Sequence, residues 1–579
     1  MAFRRRTERR GSDRLRWLRT GIMIFAVLLT GRLFWLQVVK AGYYKLLAAD
    51  QHELSAQLDP VRGEILVHDR TSSNGTYPLA ANRTLHLMYA IPKQVTDPVV
   101  TAAALQSVYE LDEATLLKRL SKANDLYEPL AHGLTDEQKA AVEALNLEGI
   151  AFLDERERYY PEKNIGSHLL GFVGYDGDRK LGRYGLEGGW DEELAGKKGS
   201  IRAEKDAGGR IILSAADAWQ PAVDGADLLL TIDRTIQYEA CRRLDAAVLK
   251  HGADGGSVVI LDPKTGAIRA LCGAPDYDPN NYREVTDAKY FLNPATQITY
   301  EPGSVFKPLT MAAALNDGKV TPDTTYTDTG EIKVGSFTIK NSDEKSNGVQ
   351  TMNQVLEKSL NTGAIFAMQS IGPERFRDYV TMFGFGAASG IGVSEVNGNV
   401  KALNAKQEIY AMTGSFGQGI TVTPVQLAAA YGVLANGGKL MKPYVIDEIR
   451  HSDGTVTKTE PTVVREVITA KTAATVGGML VNVVRNGHGK KAAVPGYFVA
   501  GKTGTAQVPD PAGGGYLKDV TIGTFAGYAP VEDPKFVIIT KIDHPRDVQF
   551  AESSAAPLFG EIARFLLSYD QVQPAESQP

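Results

Sequence analysis

The first strong pattern along the chain is an apolar run. Gly21 to Val39 reads GIMIFAVLLTGRLFWLQVV. As a helix, a segment of this length spans a bilayer core of about 30 Å. Arg32 interrupts it. A charge at mid-helix costs roughly 2.5–3.5 kcal/mol on insertion scales, and less when the side chain snorkels to the interface. Arg32 lies toward the far end of the run, which suits snorkelling or a contact with a partner membrane protein. The rival reading is a cleaved signal peptide, with Val39-Lys40-Ala41 as a weak cleavage site. The apolar stretch resumes as Leu33-Phe34-Trp35-Leu36, which favours an anchor over residues 21–39. Either way, the chain beyond residue 40 is expected to be exported.

Residues 40–225 are mixed and strongly charged. Leu85–Ile91 reads as a strand. In Ala102–Leu120 the apolar positions Leu105, Val108, Leu111, Leu116 and Leu117 follow a helical period, and Gln138–Leu147 is similar. Glycines crowd 171–189 and 196–209. No nucleophile-plus-base arrangement stands out, so the region reads as a spacer or interaction domain.

The texture changes near residue 226. Leu228–Ile232 is a short apolar run, and Asp233 is placed to cap a helix whose apolar face is Ile236, Ala240, Leu244 and Val248. Ser257–Leu261 and Ala267–Cys272 flank a Pro263–Gly266 turn, the pattern of a hairpin. Thr521–Tyr528 and Phe536–Ile542 are two more strands, and Ala556–Tyr569 is an apolar helix. Strands and helices at both ends of a helical middle predict an α+β layer fold over 226–569. Residues 570–579 are polar and proline-containing, and are expected to be disordered.

Charge sharpens the membrane reading. Residues 1–20 hold eight arginines against Glu8 and Asp13, a net +6, while the whole chain is −5. The remainder therefore carries −11. A basic head on an acidic body argues against nucleic-acid binding and for a cytoplasmic tail fixed by the positive-inside rule. The two cysteines, Cys241 and Cys272, are too few for a disulfide framework. They read as small core residues, with a single bridge open if the domain is exported. The nine histidines show no close ligand spacing, so no metal site and no cofactor are expected.

Three short motifs fall in order: Ser304-Val-Phe-Lys307, Ser359-Leu-Asn361 and Lys502-Thr-Gly504. Each is weak alone; their order and context carry the signal. Pro302 and Gly303 break the chain before Ser304, and Leu309 and Met311–Leu315 continue as an apolar helix, so Ser304 is expected near a helix N-terminus. Pro308 is early enough that its missing N–H costs little. A spacing of three puts Ser304 and Lys307 on one face. A lysine kept neutral by burial or a nearby cation, for which Lys502 is the candidate, can take the serine proton. Ser359 can relay a proton, and Asn361 can hydrogen-bond a substrate amide. Phe498–Val508 reads as a strand whose edge could pair with an extended peptide. The N–H groups of Ser304 and Thr505 would form an oxyanion hole. Thr503 and Thr505, with Lys502, could hold a carboxylate. Gly504 allows close backbone approach. Gly496 to Thr503 also matches the phosphate-loop pattern letter for letter, but its inner residues are strand-like and Pro509, Pro511 and Gly513–Gly515 bar a long following helix.

In this context the chain resembles the class B penicillin-binding proteins. Tyr300-Glu-Pro-Gly-Ser-Val-Phe-Lys-Pro308 is similar to the family's nucleophile segment, and Gly501-Lys-Thr-Gly-Thr-Ala-Gln507 to its third motif. Leu230–Asp233, Asn293–Ala295, Gly417–Gly419 with Thr423-Pro424, and Leu434–Gly438 are further similar stretches. Arg62–Ile65 with Asp69-Arg70, Arg158–Pro161 and Gly185–Glu187 resemble the family's pedestal. The likeness implies an elongated pedestal over 40–225, a penicillin-binding, β-lactamase-like transpeptidase domain over 226–569 built as an antiparallel sheet packed with helices, and no preceding glycosyltransferase domain. It implies D,D-transpeptidation of peptidoglycan stem peptides through an acyl-enzyme at Ser304, with β-lactams as inhibitors. It also implies a membrane glycan polymerase and other division proteins as partners, at a single-pass site in the bacterial inner membrane. Gly166–Gly174, Gly185–Glu187, the Ser359–Asn361 motif and Gly417–Thr423 look closest to the septal subgroup; the elongation subgroup stays open, as do a carboxypeptidase or β-lactamase-like hydrolase and a non-catalytic scaffold.

Overall fold

The computed structural model describes residues 9–40, 53–122, 125–176, 179–205, 211–212, 219–510 and 512–575. They form two compact units. The first comprises residues up to 60 together with 197–223. Its helix Arg9–Phe34 continues as a π turn, Trp35–Val39. Within it Arg16–Val39 is the one span among the described residues long and apolar enough to cross a membrane, with mean hydropathy 2.0. The helix thus carries back into the basic head. In the same unit the strand Glu53–Leu58 pairs antiparallel with Gly199–Lys205.

The second unit holds residues 61–196 and 224–579. Its pedestal part is organised by the long strand Thr76–Ala90, which pairs with Ile150–Tyr159 and Glu128–Leu134 on one stretch and Ile65–His68 on another. Ile65–His68 runs parallel to Asp227–Asp233, which in turn pairs with Ile446–Arg450. One sheet therefore crosses the change in texture seen near residue 226. The three pedestal stretches that the family resemblance singled out meet in one buried cluster. Glu187 is fully buried and accepts from Arg62 Nε at 2.8 Å, Arg158 Nε at 2.6 Å and Tyr160 Oη at 3.2 Å.

The expected single helix Ala102–Leu120 is two helices, Pro98–Gln106 and Glu113–Leu120. The reason is capping: Asp97 accepts from the Val99 and Val100 amides, and Asp112 restarts the helix by accepting from Thr115 N. The residues at 570–575 are also ordered, against expectation: Tyr497 Oη donates to Val572 O at 2.7 Å and Ala575 N to Gly496 O at 2.9 Å. Residues 576–579 lie outside the described residues. Cys241 and Cys272 are joined as a disulfide, so the open alternative replaces the reading as two free core residues. The bridge ties a helix to a strand across 31 residues.

The second sheet carries the third sequence motif. Its five strands are β1 (Gly255–Leu261), β2 (Ile268–Ala274), β3 (Ala500–Pro509), β4 (Tyr516–Ala529) and β5 (Phe536–Asp543), in the order β2-β1-β5-β4-β3, every neighbour antiparallel. β1 is buried along its whole length because helices cover both faces. Helix α1 (Arg234–Lys250), capped by Asp233 through the Thr235 and Ile236 amides, lies on one side. The other side is taken by the helix Ala470–Asn486 and a wholly buried helix from the middle of the chain, α5 (Pro424–Ala435), with α2 (Lys307–Asn316), α3 (Met352–Glu357) and α4 (Asn361–Ile371) packed beyond them. α5 starts on a capping box between Thr423 and Gln426, with Pro424 in its first turn. The terminal helix α6 (Ala555–Tyr569) joins α1. β3, which bears Lys502-Thr-Gly504, is left at the sheet edge.

Candidate active site

Ser304 sits in a 3-10 turn, Gly303–Phe306, that runs directly into α2. The turn is clamped from three sides. Gly303 N donates to Gly417 O at 3.0 Å; Tyr431 Oη, fully buried on α5, donates to Val305 O at 2.7 Å; Thr310 Oγ1 donates to Ser415 O at 2.7 Å. Gly417 has φ +82, and a β-carbon there would lie 2.2 Å from Gly303 O, so only glycine lets this loop reach the turn. Glu301, buried just ahead of the turn, accepts from Gly419 N at 2.9 Å and Tyr516 Oη at 3.0 Å, joining that loop to the start of β4.

Lys307, one helical turn after Ser304, is 1% exposed. Its Nζ donates to the Ser359 carbonyl and lies 3.2 Å from Ser359 Oγ. Burial, and next the Lys502 cation, hold the Lys307 ammonium well below its ordinary value, against a smaller opposing pull from Asp343. Lys502 is itself fully buried, which lowers it to about 7; its Nζ donates to Thr503 O at 3.0 Å and Thr503 Oγ1 at 3.3 Å. Among the described residues Lys307 forms no ion pair with a carboxylate, which favours its neutral amine, the form that can take a proton.

Ser359 lies between α3 and α4 with φ +59, a strained value for a residue with a β-carbon. Asn361 begins α4. Its Nδ2 donates to Lys340 O at 2.8 Å, so one of its amide hydrogens is already engaged within the protein. Thr503 is buried, while Thr505 is partly exposed and its Oγ1 accepts from Ala551 N at 3.1 Å, tying β3 to the loop before α6. A β-carbon on Gly504 would sit 2.8 Å from Pro302 O and 3.1 Å from Val305 N. The edge strand and the serine turn are thus in backbone-to-backbone contact. The stretch that matched a phosphate loop runs into β3 and a hairpin, not a helix.

The motif residues were legible in sequence; their supports were less so. Tyr431 hides in an apolar helix, where a lone tyrosine is the signal that its hydroxyl needs a buried partner. Glu301 is a charge inside a buried segment. Asn341, whose Oδ1 accepts from the Asn361 and Thr362 amides, and Asp328, to which Asn341 donates, had no local signal.

A lysine favouring the neutral amine, one turn from a serine and beside an open strand edge, defines the class of serine acyl-transfer enzymes. Comparison with known proteins makes this particular. Residues 256–564 match the penicillin binding protein transpeptidase domain, and residues 57–230 match the penicillin-binding protein dimerisation domain. The chain is 35% identical over 569 residues to stage V sporulation protein D of Bacillus subtilis, covering 96% of this chain and 86% of the relative. It is 30% identical over 566 residues to peptidoglycan D,D-transpeptidase FtsI of Escherichia coli, covering 96% and 91%. Among solved structures, penicillin binding protein 3 of Mycobacterium tuberculosis, complexed with aztreonam, matches with TM-score 0.69 at 28% identity, covering 90% of this chain and 98% of that one. The chain belongs to the class B penicillin-binding proteins, and is a serine-type peptidoglycan transpeptidase with the dimerisation-plus-transpeptidase architecture of that family.

Proposed function

We propose that Ser304 is the nucleophile of this transpeptidase, with Lys307 as its base. The observation that carries the assignment is Lys307: buried, held toward the neutral amine, and hydrogen-bonded to Ser359. Ser304 Oγ attacks the penultimate D-Ala carbonyl of a stem peptide while its proton passes to Lys307 Nζ. The peptide C–N bond breaks, the proton passes by way of Ser359 to the leaving D-Ala amine, and an acyl-enzyme remains. An amine of a neighbouring stem then attacks the ester, and its proton returns to Ser304 Oγ. The N–H groups of Ser304 and Thr505 stabilise the oxyanion, Lys502 with Thr503 and Thr505 holds the substrate carboxylate, Asn361 binds a substrate amide, and Gly504 keeps the strand against the turn.

The cytoplasmic side is the side of the arginine-rich N-terminus, and the transpeptidase domain (226–569) and pedestal (40–225) lie outside, in the bacterial inner membrane's extracytoplasmic space. The charge of residues 1–20 supports this, as does the disulfide, since such bonds persist in oxidising compartments. A role in septal synthesis, beside a membrane glycan polymerase that meets Arg32 or the pedestal, is supported by the septal-like stretches and by the relatives that carry the FtsI name.

The test is intact-mass analysis of the exported region after exposure to a penicillin, beside Ser304→Ala and Lys307→Ala. A single stable adduct, lost in the first variant and slowed by about 10²–10⁴ in the second, is the expected result. An adduct retained by Ser304→Ala, or an unslowed Lys307→Ala, overturns the assignments. An adduct that clears within seconds makes the protein a hydrolase.

A further inference from the structure

Ser359 is strained, yet its hydroxyl and carbonyl are what Lys307 meets; something must hold it there. The neighbouring hydrogen bonds are short-range: Ser359 N donates to Leu356 O at 3.3 Å and Leu360 N to Val355 O at 2.9 Å, both to α3. The α4 side is held differently. The first α4 amides, Asn361 N at 2.9 Å and Thr362 N at 3.2 Å, both donate to Asn341 Oδ1. These are orphan donors of a helix start, here capped by a side chain some twenty residues upstream. Leu360, at the cap position, has no polar side chain to do it.

Asn341 is 2% exposed and is itself held by a fully buried carboxylate, Asp328. Asn341 Nδ2 donates to Asp328 Oδ1 at 2.9 Å and Oδ2 at 3.0 Å. Asp328 also accepts from Gly330 N at 3.0 Å, Asn347 N at 2.9 Å, Asn347 Nδ2 at 2.8 Å and Thr362 Oγ1 at 2.7 Å. Each of these contacts is a donor facing the carboxylate. That environment suits an ionised acid and no amide: an Asn in its place would turn an NH2 group toward other N–H groups. Asp328 ends a short strand, Thr325–Asp328, and Thr362 lies in the first turn of α4, so the carboxylate ties the 328–347 loops to the start of α4.

We propose that Asp328, acting through Asn341 and Thr362, is a positioning residue for the acyl transfer: it fixes the register of the Ser359–Leu360–Asn361 turn against Lys307. This rests on the roles given above to Lys307, Ser359 and Asn361. Asp328 touches no reacting atom. Its loss lets the turn relax from the strained φ, moving the Ser359 hydroxyl away from Lys307. It thereby slows the bond-making step more than it weakens initial binding.

The test measures acylation by a fluorescent penicillin in the exported region, separating the rate constant k2 from the dissociation constant Ks. Wild type is measured first; if it does not acylate, the functional reading fails and not this one. Asp328→Asn is expected to lower k2 by about 10- to 100-fold, as for a displaced catalytic group, with Ks changed much less. The double variant Asp328→Asn/Asn341→Asp keeps an acceptor on the α4 amides and restores one carboxylate–amide contact, while the Gly330 and Asn347 donors still face an amide; it is expected to recover k2 in part, to severalfold above Asp328→Asn. A merely structural aspartate would lower Tm without moving k2. A k2 within twofold of wild type in a folded Asp328→Asn, or a double variant that regains Tm without k2, overturns the proposal. Should Asp328→Asn not fold, Thr362→Val removes one donor to the carboxylate and is expected to lower k2 several-fold, Thr362→Ser leaving it near wild type; an unchanged k2 in Thr362→Val overturns it equally.

Discussion

Gly504→Ala isolates the contact between the edge strand and the serine turn. The residue is buried, and its backbone needs no left-handed conformation, so the cost of a methyl is one of space alone. The new β-carbon would lie 2.8 Å from Pro302 O, 2.9 Å from Val305 Cγ1 and 3.1 Å from Val305 N. Two of these atoms are backbone of the segment that carries Ser304, itself clamped by Tyr431 and Gly417, so rotating a side chain cannot relieve them. Reaching an ordinary contact of 3.4 Å requires the strand and the turn to part by about 0.6 Å. A misplacement of 1 Å costs on the order of 10² in rate, so a loss of roughly 10-fold or more in acylation is expected, with about 1–3 kcal/mol of overpacking. Gly478→Ala is the comparison: it lies in the helix Ala470–Asn486 with open space around a β-carbon, and should acylate normally with unchanged or raised Tm. Acylation by a fluorescent penicillin and thermal melting of both variants read the two effects. Gly504→Ala acylating within twofold of wild type at unchanged Tm would refute the reasoning.

Four further outcomes are expected from the buried charges and the bridge. The pH profile of k2/Ks for a carboxylate-bearing β-lactam should rise with pH as Lys307 loses its proton. It should fall again near pH 7, where Lys502 at about 7 gives up the charge proposed to hold the carboxylate. In Lys502→Met the cation that repels a proton from Lys307 is gone, so the acid limb should move to higher pH; an unmoved limb removes Lys502 from that role. Glu187→Gln leaves the buried Arg158 without a counter-charge, while Arg62 keeps Asp191, and should cost about 3 kcal/mol of stability, read by denaturant unfolding; a loss under about 1 kcal/mol would mean water reaches the cluster. Replacing Cys241 and Cys272 by alanine frees a 31-residue loop and should cost about 3–4 kcal/mol on the chain-entropy account, with acylation at Ser304 retained; a Tm equal to wild type would show the bridge carries no stability.

The sequence by itself determined whatever depends on neighbours along the chain. The apolar run and its arginine-rich flank, the Asp233 cap, the β1–β2 hairpin, β3 to β5 and α6 were legible because capping, periodicity and turn chemistry act within a few residues. Ser304 and Lys307 were legible as a pair for the same reason, since one turn of helix sets their spacing. Where local rules competed, reading failed: the apolar period through 102–120 masked the cap at Asp112, and the polar composition of 570–575 gave no hint of the contacts with Gly496 and Tyr497. What only the tertiary structure decided is how far a residue lies from water and from distant partners. The bond between Cys241 and Cys272, the convergence of Arg62, Arg158 and Glu187, the burial that brings Lys502 to about 7, and the reach of Asp328 to the start of α4 all join segments tens to hundreds of residues apart. Desolvation and long-range hydrogen bonds are properties of the packed sheet and its covering helices. They make a reactive lysine of a residue that, by its letter alone, would sit charged on a surface.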